Sequence, residues 1–523
     1  MKRQLLFTWT IGPCTLLALA QTAPPIEWQK PLGGTSMDLP AAARHVPNGG
    51  YLVAGGTRST DGDVIGLHGY KEDAWLVRLD ESGALLWQKT FGGSLDETAT
   101  ALQPTSDGGC ILVGTARSND GDVIGMHGDA LASDAWVLKL NATGGIQWQR
   151  SLGGSDQDVA NAVQQTDDGG YIVAGWTSSS DGDVGGNHGI QDAWIVKLAA
   201  SGETEWKWSL GGSGSDVATS IVQTDDGGYV VAGYSDSSDG DVSGLHGEYD
   251  GWLVKLGPKG SIEWQRMVGG HAVDQLLSVD RAPDGGYIAA GISLSDDGDV
   301  HGSHGNTDAW VVRFNGEGDL LWQLPLGGEM GDWATSVRTT DDGGSIVAGH
   351  TGSTDGDVVG NDGWVDIWVV KLKEGGAVQW QTTLGGRYTE EASCIEGTPD
   401  GGYILSGYAE SNDGDVSGNH ADVFGERDIW VVKLRRPIAA GLEEVAGEAA
   451  TISPNPGSGL FRIDLPAMTP ALMTVTDMAG REVHRERVNG TSCTLDLGGE
   501  ARGCYVLTLR SEHGIRSQQI LLE

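Results

Sequence analysis

Residues 148–205 read WQRSLGGSDQDVANAVQQTDDGGYIVAGWTSSSDGDVGGNHGIQDAWIVKLAASGETE, and the chain writes this pattern seven times. The Trp that opens each copy is Trp28, Trp87, Trp148, Trp206, Trp264, Trp322 and Trp380, at steps of 59, 61, 58, 58, 58 and 58 residues. A period this regular marks a repeat architecture, in which each unit buries its apolar face against its neighbours. The quoted copy predicts four strands. The first ends in Trp-Gln and runs into Leu152-Gly153-Gly154. The second is 159–166, with apolar residues spaced for a half-buried strand. Asp168-Gly169-Gly170 is a hairpin turn that needs positive φ. The third is 171–175, and the fourth, 192–198, is followed by a Ser-Gly turn into the next Trp strand. β-Branched and aromatic residues dominate all four, and no segment carries a helical period.

Four short strands per repeat make a propeller blade. The period exceeds the roughly 40–50 residues of common propeller repeats, and the excess lies in the Asp-Gly-Asp-Val loop between strands three and four. A parallel β-helix is the alternative, disfavoured by hairpin turns inside every unit. The chain enters the repeats on Ile26-Glu-Trp-Gln-Lys30, without a preceding Asp-x-Trp strand. It leaves them on Asp428-Ile-Trp-Val-Val-Lys-Leu434, without a following Trp-Gln strand. Residues 26–30 are therefore predicted to complete the last blade, which removes two open sheet edges. The expected fold class is all-β: a seven-bladed propeller over 26–434, a linker over 435–450, and a small Ig-like β-sandwich over 451–523.

Composition limits the partners. Of 523 residues, 33 are Lys or Arg and 72 are Asp or Glu, a net charge of −39. Nothing here neutralises phosphates, which excludes nucleic acid as a partner. Lys2 and Arg3 precede an apolar run, and Ala18-Leu19-Ala20 is a small-residue cleavage pattern, so residues 1–20 read as a secretory signal peptide. No other stretch is apolar enough to span a membrane. Cys110 and Cys394 read as buried thiols. Cys493 and Cys504 lie eleven apart and are candidates for a disulfide in an exported protein.

The repeat-borne acids come in three sets. Asp-Gly-Asp recurs as Asp61/Asp63, Asp120/Asp122, Asp181/Asp183, Asp239/Asp241, Asp297/Asp299, Asp355/Asp357 and Asp413/Asp415. Six copies continue to a His (His68, His127, His188, His246, His304, His420), and the sixth copy has Asp362 there. The leading reading is a turn whose Asp side chains cap backbone. The alternative is one Ca²⁺ per blade, held by the paired carboxylates and backbone carbonyls. A second acid precedes strand two, and a third opens strand four, with Lys or Arg five residues after that third acid. Acids and cations at such fixed offsets are expected to pair between strands.

A single site needs a unique constellation, so function is sought where the copies differ. The residue after the Ala-Gly of strand three changes through the chain. Trp176, Tyr234, His350 and Tyr408 at that position are the candidate ligand-binding residues. Further departures are Arg44, His45, Trp333, Trp364, Arg387 and Tyr388. No nucleophile motif or phosphate loop is present.

The motifs W-Q-x-x-L-G-G, D-G-G-Y-I-V-A-G, D-G-D-V-x-G-x-H-G and D-A-W-V-V-K-L resemble those of the bacterial β-propeller repeat (SBBP-like) proteins over about 26–434. That resemblance implies an exported propeller. Beyond the repeats, Ser453-Pro-Asn-Pro456, Asp477-Met-Ala-Gly-Arg481, Gly503-Cys-Tyr505 and Gln519-Ile-Leu-Leu522 resemble a type IX secretion (type A) C-terminal sorting domain over 451–523. It implies recognition by the type IX machinery, passage through the outer membrane, removal of the tail, and release or attachment to surface lipopolysaccharide. The functional expectation is a secreted or cell-surface binding scaffold for an extracellular glycan or protein. The alternative is a polysaccharide hydrolase or lyase, for which His45, His350, Tyr388 and Glu391 are the scattered candidates.

Overall fold

Apart from the first strand, the strand-forming runs of the repeat pair with their chain neighbours, so the repeats fold as antiparallel sheets. The computed structural model describes residues 23–129, 131–420, 426–437, 451–453, 455, 457–464, 471–477, 482–488, 490–511 and 514–522. The expected signal peptide and linker residues 438–450 lie outside them. The first sheet joins Asp38–His45, Tyr51–Thr57, Asp73–Leu79 and Leu85–Phe91 in that order. Six more four-stranded sheets repeat this order, and their inner strands are Glu97–Pro104, Asp158–Gln165, Asp216–Gln223, Asp274–Arg281, Asp332–Thr339 and Glu390–Gly397. We number these blades 1 to 7. Each inner strand touches the inner strands of both neighbouring blades, and blade 7 touches blade 1. The seven sheets thus close a ring about an axis, and the fold is a seven-bladed β-propeller.

Closure is made as the termini of the repeats predict. Ile26–Leu32 pairs antiparallel with Asp428–Leu434 and is the outer strand of blade 7. Gln29 Oε1 accepts the Trp430 indole N–H at 2.7 Å, the bond made inside other blades by Gln88 and Trp75 at 2.8 Å.

Apolar side chains fill the spaces between blades. The buried Ala, Val, Ile and Leu residues of strands three and four form clusters that cross from one blade to the next. Each outer-strand Trp adds an inter-blade contact. The Trp148 ring meets Tyr171 edge-on at 5.7 Å. It also lies against Gly202, whose φ is +81° and whose Cβ, if present, would stand 2.8 Å from the indole.

Residues 451–522 form a separate unit with two sheets. Thr451–Ser453, Leu460–Asp464 and Ser492–Asp496 make one, and Ala471–Asp477, Glu482–Val488, Gly503–Ser511 and Gly514–Leu522 make the other. Phe461, Ile463, Met473, Val475, Leu507 and Ile520 belong to their common core. The candidate Cys493–Cys504 bridge is not formed. Cys493 is a free thiol 3.9 Å from Met473 Sδ, and the two cysteines sit on strands of different sheets. Cys110 and Cys394 are buried thiols.

Candidate functional site

The repeated acids prove to be joints. In blade 3 the inner-strand Asp158 accepts hydrogen bonds from Gly154 N at 2.7 Å, Ser179 Oγ at 2.8 Å and Thr177 Oγ1. The first Asp of each Asp-Gly-Asp loop caps the Gly-Gly loop that enters the same blade. Asp181 Oδ1 accepts Ser155 N–H at 2.7 Å, and Asp61 Oδ1 accepts Thr35 N–H at 2.8 Å. Asp120, Asp239, Asp297, Asp355 and Asp413 make the same bond to Ser94, Ser213, His271, Glu329 and Arg387.

The second Asp of the loop faces the blade before. His68 bonds Asp73 Oδ2 of its own blade at 2.7 Å and comes within 3.9 Å of Asp122 Oδ2 on the next. His127 and Asp183, His304 and Asp357, and His420 and Asp63 repeat this bridge. Asp241, Asp299 and Asp415 donate their backbone N–H to Gly211, Gly269 and Gly385 carbonyls, as the other second Asps do to theirs. The two carboxylates of a loop therefore serve different partners. Among the described residues, no three His, Cys, Asp or Glu side chains stand together in metal-holding geometry.

Six of the strand-four cations pair with the Asp of the Asp-Gly-Gly turn rather than with the acid that opens their own strand, while Arg78, whose turn carries Asn48, donates to the Tyr51 and Leu79 carbonyls. Lys197 Nζ stands 2.9 Å from Asp168, and Lys139 stands 2.8 Å from Asp107. Burial works against ionisation of Asp168. Hydrogen bonds from Thr166, Lys197 and Gly170 outweigh it and hold the carboxyl down at about 2.

One interface breaks this pattern. Asp362 replaces the His between blades 6 and 7, and only its backbone N–H reaches Asp366 Oδ2, at 3.2 Å. A cavity of about 380 Å³ opens beside Asp362, Asp366, Arg387 and Asp415. Burial, then the charges of Glu390, Asp362 and Asp415, push the Asp366 carboxyl up to about 6.

Several of the other residues singled out in the sequence lie on the same two blades. His350 stacks on Trp333 with ring centres 4.8 Å apart. Burial pulls the His350 imidazole below its usual range, against the opposing charges of Glu391 and Asp332. Glu391 pairs in register with Tyr408, whose hydroxyl is pushed well up by burial and then by Glu391. The Arg427 guanidinium lies 4.0 Å over the Tyr408 ring. Trp364 is 61% exposed, with its ring 6.0 Å from Tyr388, and Arg387 lies over Tyr388 at 5.8 Å.

Of the residues singled out in the sequence, the fold brings His350, Glu391 and Tyr408 together, with Tyr388 in the same two blades. Trp176 and Tyr234 sit apart on blades 3 and 4, Tyr234 against Tyr249 at 5.8 Å. His45 lies on the inner strand of blade 1, 3.5 Å from Glu81. Sequence reasoning missed Arg338 and Glu396. Their signal was the seventh position of the inner strand, which reads Arg44, Gln103, Gln164, Val222, Asp280, Arg338 and Glu396 when the copies are aligned.

Comparisons with known proteins bear on the two units separately. Residues 451–523 match the family model of the secretion system C-terminal sorting domain. The regulatory protein FlaEY of Caulobacter vibrioides is 30% identical over 214 residues. The match covers 38% of this chain and 22% of that protein, so the chain spans about a fifth of its relative's length. Among solved structures, the Neurospora crassa Pan2 WD40 domain aligns with a TM-score of 0.44 at 12% identity, covering 80% of this chain and 99% of that one. PorZ, a surface component of the type IX secretion system of Porphyromonas gingivalis, aligns with a TM-score of 0.40 at 10% identity, covering 95% and 61%. Among the described residues, no helix is long and apolar enough to cross a membrane. Residues 451–523 are a type IX secretion sorting domain, and the propeller that precedes them belongs to a protein that is secreted or displayed on the cell surface.

Proposed function

We propose that the propeller is a non-catalytic binding module that presents the junction of blades 6 and 7 to an extracellular glycan or protein. One observation carries this reading. Asp362 stands where the other six copies keep a His, and positions that vary from copy to copy read Trp333, Trp364, Tyr388 and Glu391 in these two adjacent blades. An exposed Trp beside a second aromatic ring and a guanidinium is the chemistry that holds sugar faces and protein side chains. The loop that presents it is anchored, since Trp364 N–H donates to Tyr388 O at 3.1 Å.

A second reading, hydrolysis or β-elimination, draws on His350, Glu391 and Tyr408. An imidazole, a carboxylate and a phenol are an acid–base set. His350 and Tyr408 are only 9% and 6% exposed. Their shifts make the imidazole a weaker base and the phenol a weaker acid at neutral pH.

The test is a glycan and protein array probed with the full mature chain. Saturable binding without turnover is expected, weakened about tenfold by Trp364→Ala with no change in Tm. Turnover abolished by Glu391→Gln would establish the second reading. An equal loss from Trp176→Ala or Tyr234→Ala would move the recognition surface to blades 3 and 4.

A further inference from the structure

The axis of the ring holds a second unrepeated constellation, contributed by the seventh residue of each inner strand. Three of those seven side chains tie blades together. Gln103 and Gln164 accept the backbone N–H of Gln165 and Gln223 on the following blades, the latter at 2.6 Å. Asp280 Oδ2 accepts Thr339 N–H at 2.8 Å and its hydroxyl at 3.0 Å. Val222 is apolar. Arg338, Glu396 and Arg44 remain, on the consecutive blades 6, 7 and 1.

These three side chains are incompletely satisfied. Glu396 Oε2 is buried with no hydrogen-bond partner, and Arg44 Nε stands 3.8 Å away. Arg44 Nη1 donates to Ala43 O at 3.0 Å. Arg338 donates from Nη1 to Val337 O at 2.7 Å and Ser278 Oγ at 3.3 Å. Among the described residues, no carboxylate lies within ion-pairing distance of Arg338. All three line an axial cavity of about 360 Å³ to which every blade contributes. That volume lies within the range of small-molecule sites, roughly 300–1,000 Å³. Burial, then the Arg44 charge, pull the Arg338 guanidinium below its usual range. Arg338 is half-buried, and its guanidinium keeps donors beyond those two bonds for an acceptor that enters the cavity.

The charges at the ring choose the ligand. Arg44 and Arg338 stand against Asp280 and Glu396, so the ring is formally neutral. A bare dianion would meet two carboxylates with nothing to offer them. A ligand carrying an acceptor and a hydroxyl donor a few ångströms apart satisfies both the guanidinium and Glu396. We propose that the axial pocket binds one uronic acid residue, its carboxylate on Arg338 and Arg44 and a ring hydroxyl donating to Glu396 Oε2. Guanidinium matches carboxylate in a planar, charge-assisted pair. The site is separate from the surface proposed at blades 6 and 7.

Calorimetric titration of the full mature chain tests this with galacturonate, glucuronate, glucose, acetate and sulfate. Saturable binding of at least one uronate, with glucose and acetate at least tenfold weaker, is expected. Arg338→Gln should lower uronate affinity at least tenfold, and Arg338→Lys, which keeps the charge, should lower it less. Glu396→Gln should weaken uronate and leave acetate unchanged. Trp364→Ala should leave uronate binding intact. Absence of uronate binding, sulfate or acetate binding as tight as uronate, or an unchanged affinity in both Arg338 variants would overturn the proposal.

Discussion

At the scale of single residues, the acids of this chain divide by how many of their oxygens are satisfied. Asp181 is a loop staple with one short bond to a backbone N–H. A hydrogen bond of this kind contributes about 1 kcal/mol net. Asp181→Ala should therefore lower stability by roughly that amount, and equally in chelator and in millimolar Ca²⁺. A loss confined to Ca²⁺ solutions would restore the metal reading of the loops, because only a folded-state ligand raises stability with concentration. Asp366 is the opposite case, 3% exposed with Oδ1 unpartnered. Its carboxyl is raised from 3.8 to about 6 on folding. The folded state thus holds the proton more tightly, and the stability this gives is present below pH 4 and lost as pH rises through about 6. Asp366→Asn carries no such loss. The variant should match the wild type near pH 4 and exceed it by on the order of 3 kcal/mol at pH 8. Urea unfolding at the two pH values checks this, and a constant difference would contradict it.

At the scale of the strand, sequence columns become bonds. Trp-Gln recurs because the Gln accepts the indole N–H of the strand-four Trp, as Gln149 does from Trp136 at 2.9 Å and Gln323 from Trp310 at 2.9 Å. The column was legible as a repeat. Its partner was not, because the bond depends on a strand register that no single strand displays. The same holds for the strand-four cations, whose acids lie on a turn about thirty residues back. Blade 3 is the exception that tests the argument. Lys207 stands where the Gln belongs, and the Trp194 indole nitrogen is buried without a partner. An orphaned buried donor costs about 1–3 kcal/mol. Lys207→Gln should recover about 1 kcal/mol of that. Thermal melts compared with Lys207→Ala, which supplies no acceptor, separate this bond from the loss of the Lys207–Asp183 contact at 3.8 Å.

At the scale of the molecule, the repeat period announced the ring, and the mismatch between the two ends of the repeats announced how it closes. The axial cavity was not legible in this way. Arg338 and Glu396 are 58 residues apart, Arg44 precedes them by about three hundred, and the three become neighbours only after the ring has formed, so Arg44 was visible as an oddity while Arg338 and Glu396 were not. Closure itself depends on the first strand. Ile26–Leu32 covers the outer edge of blade 7, and Trp28 from that strand packs edge-on against Tyr51 of blade 1 at 5.5 Å. Removing residues 23–32 should leave the edge of Asp428–Leu434 open, Trp430 without its Gln29 acceptor, and Tyr51 without its covering ring. An open edge recruits other chains, so the truncated protein should melt lower and associate in a concentration-dependent way. A synthetic peptide of residues 23–32 offers the missing strand back in trans, and main-chain pairing supplies its affinity. Added in excess, it should raise Tm saturably and suppress association, while a peptide with Trp28 and Gln29 replaced by Ala should do neither. A truncated chain that melts like the parent and stays monomeric would mean that the inner-strand contacts between blades 7 and 1 close the ring unaided.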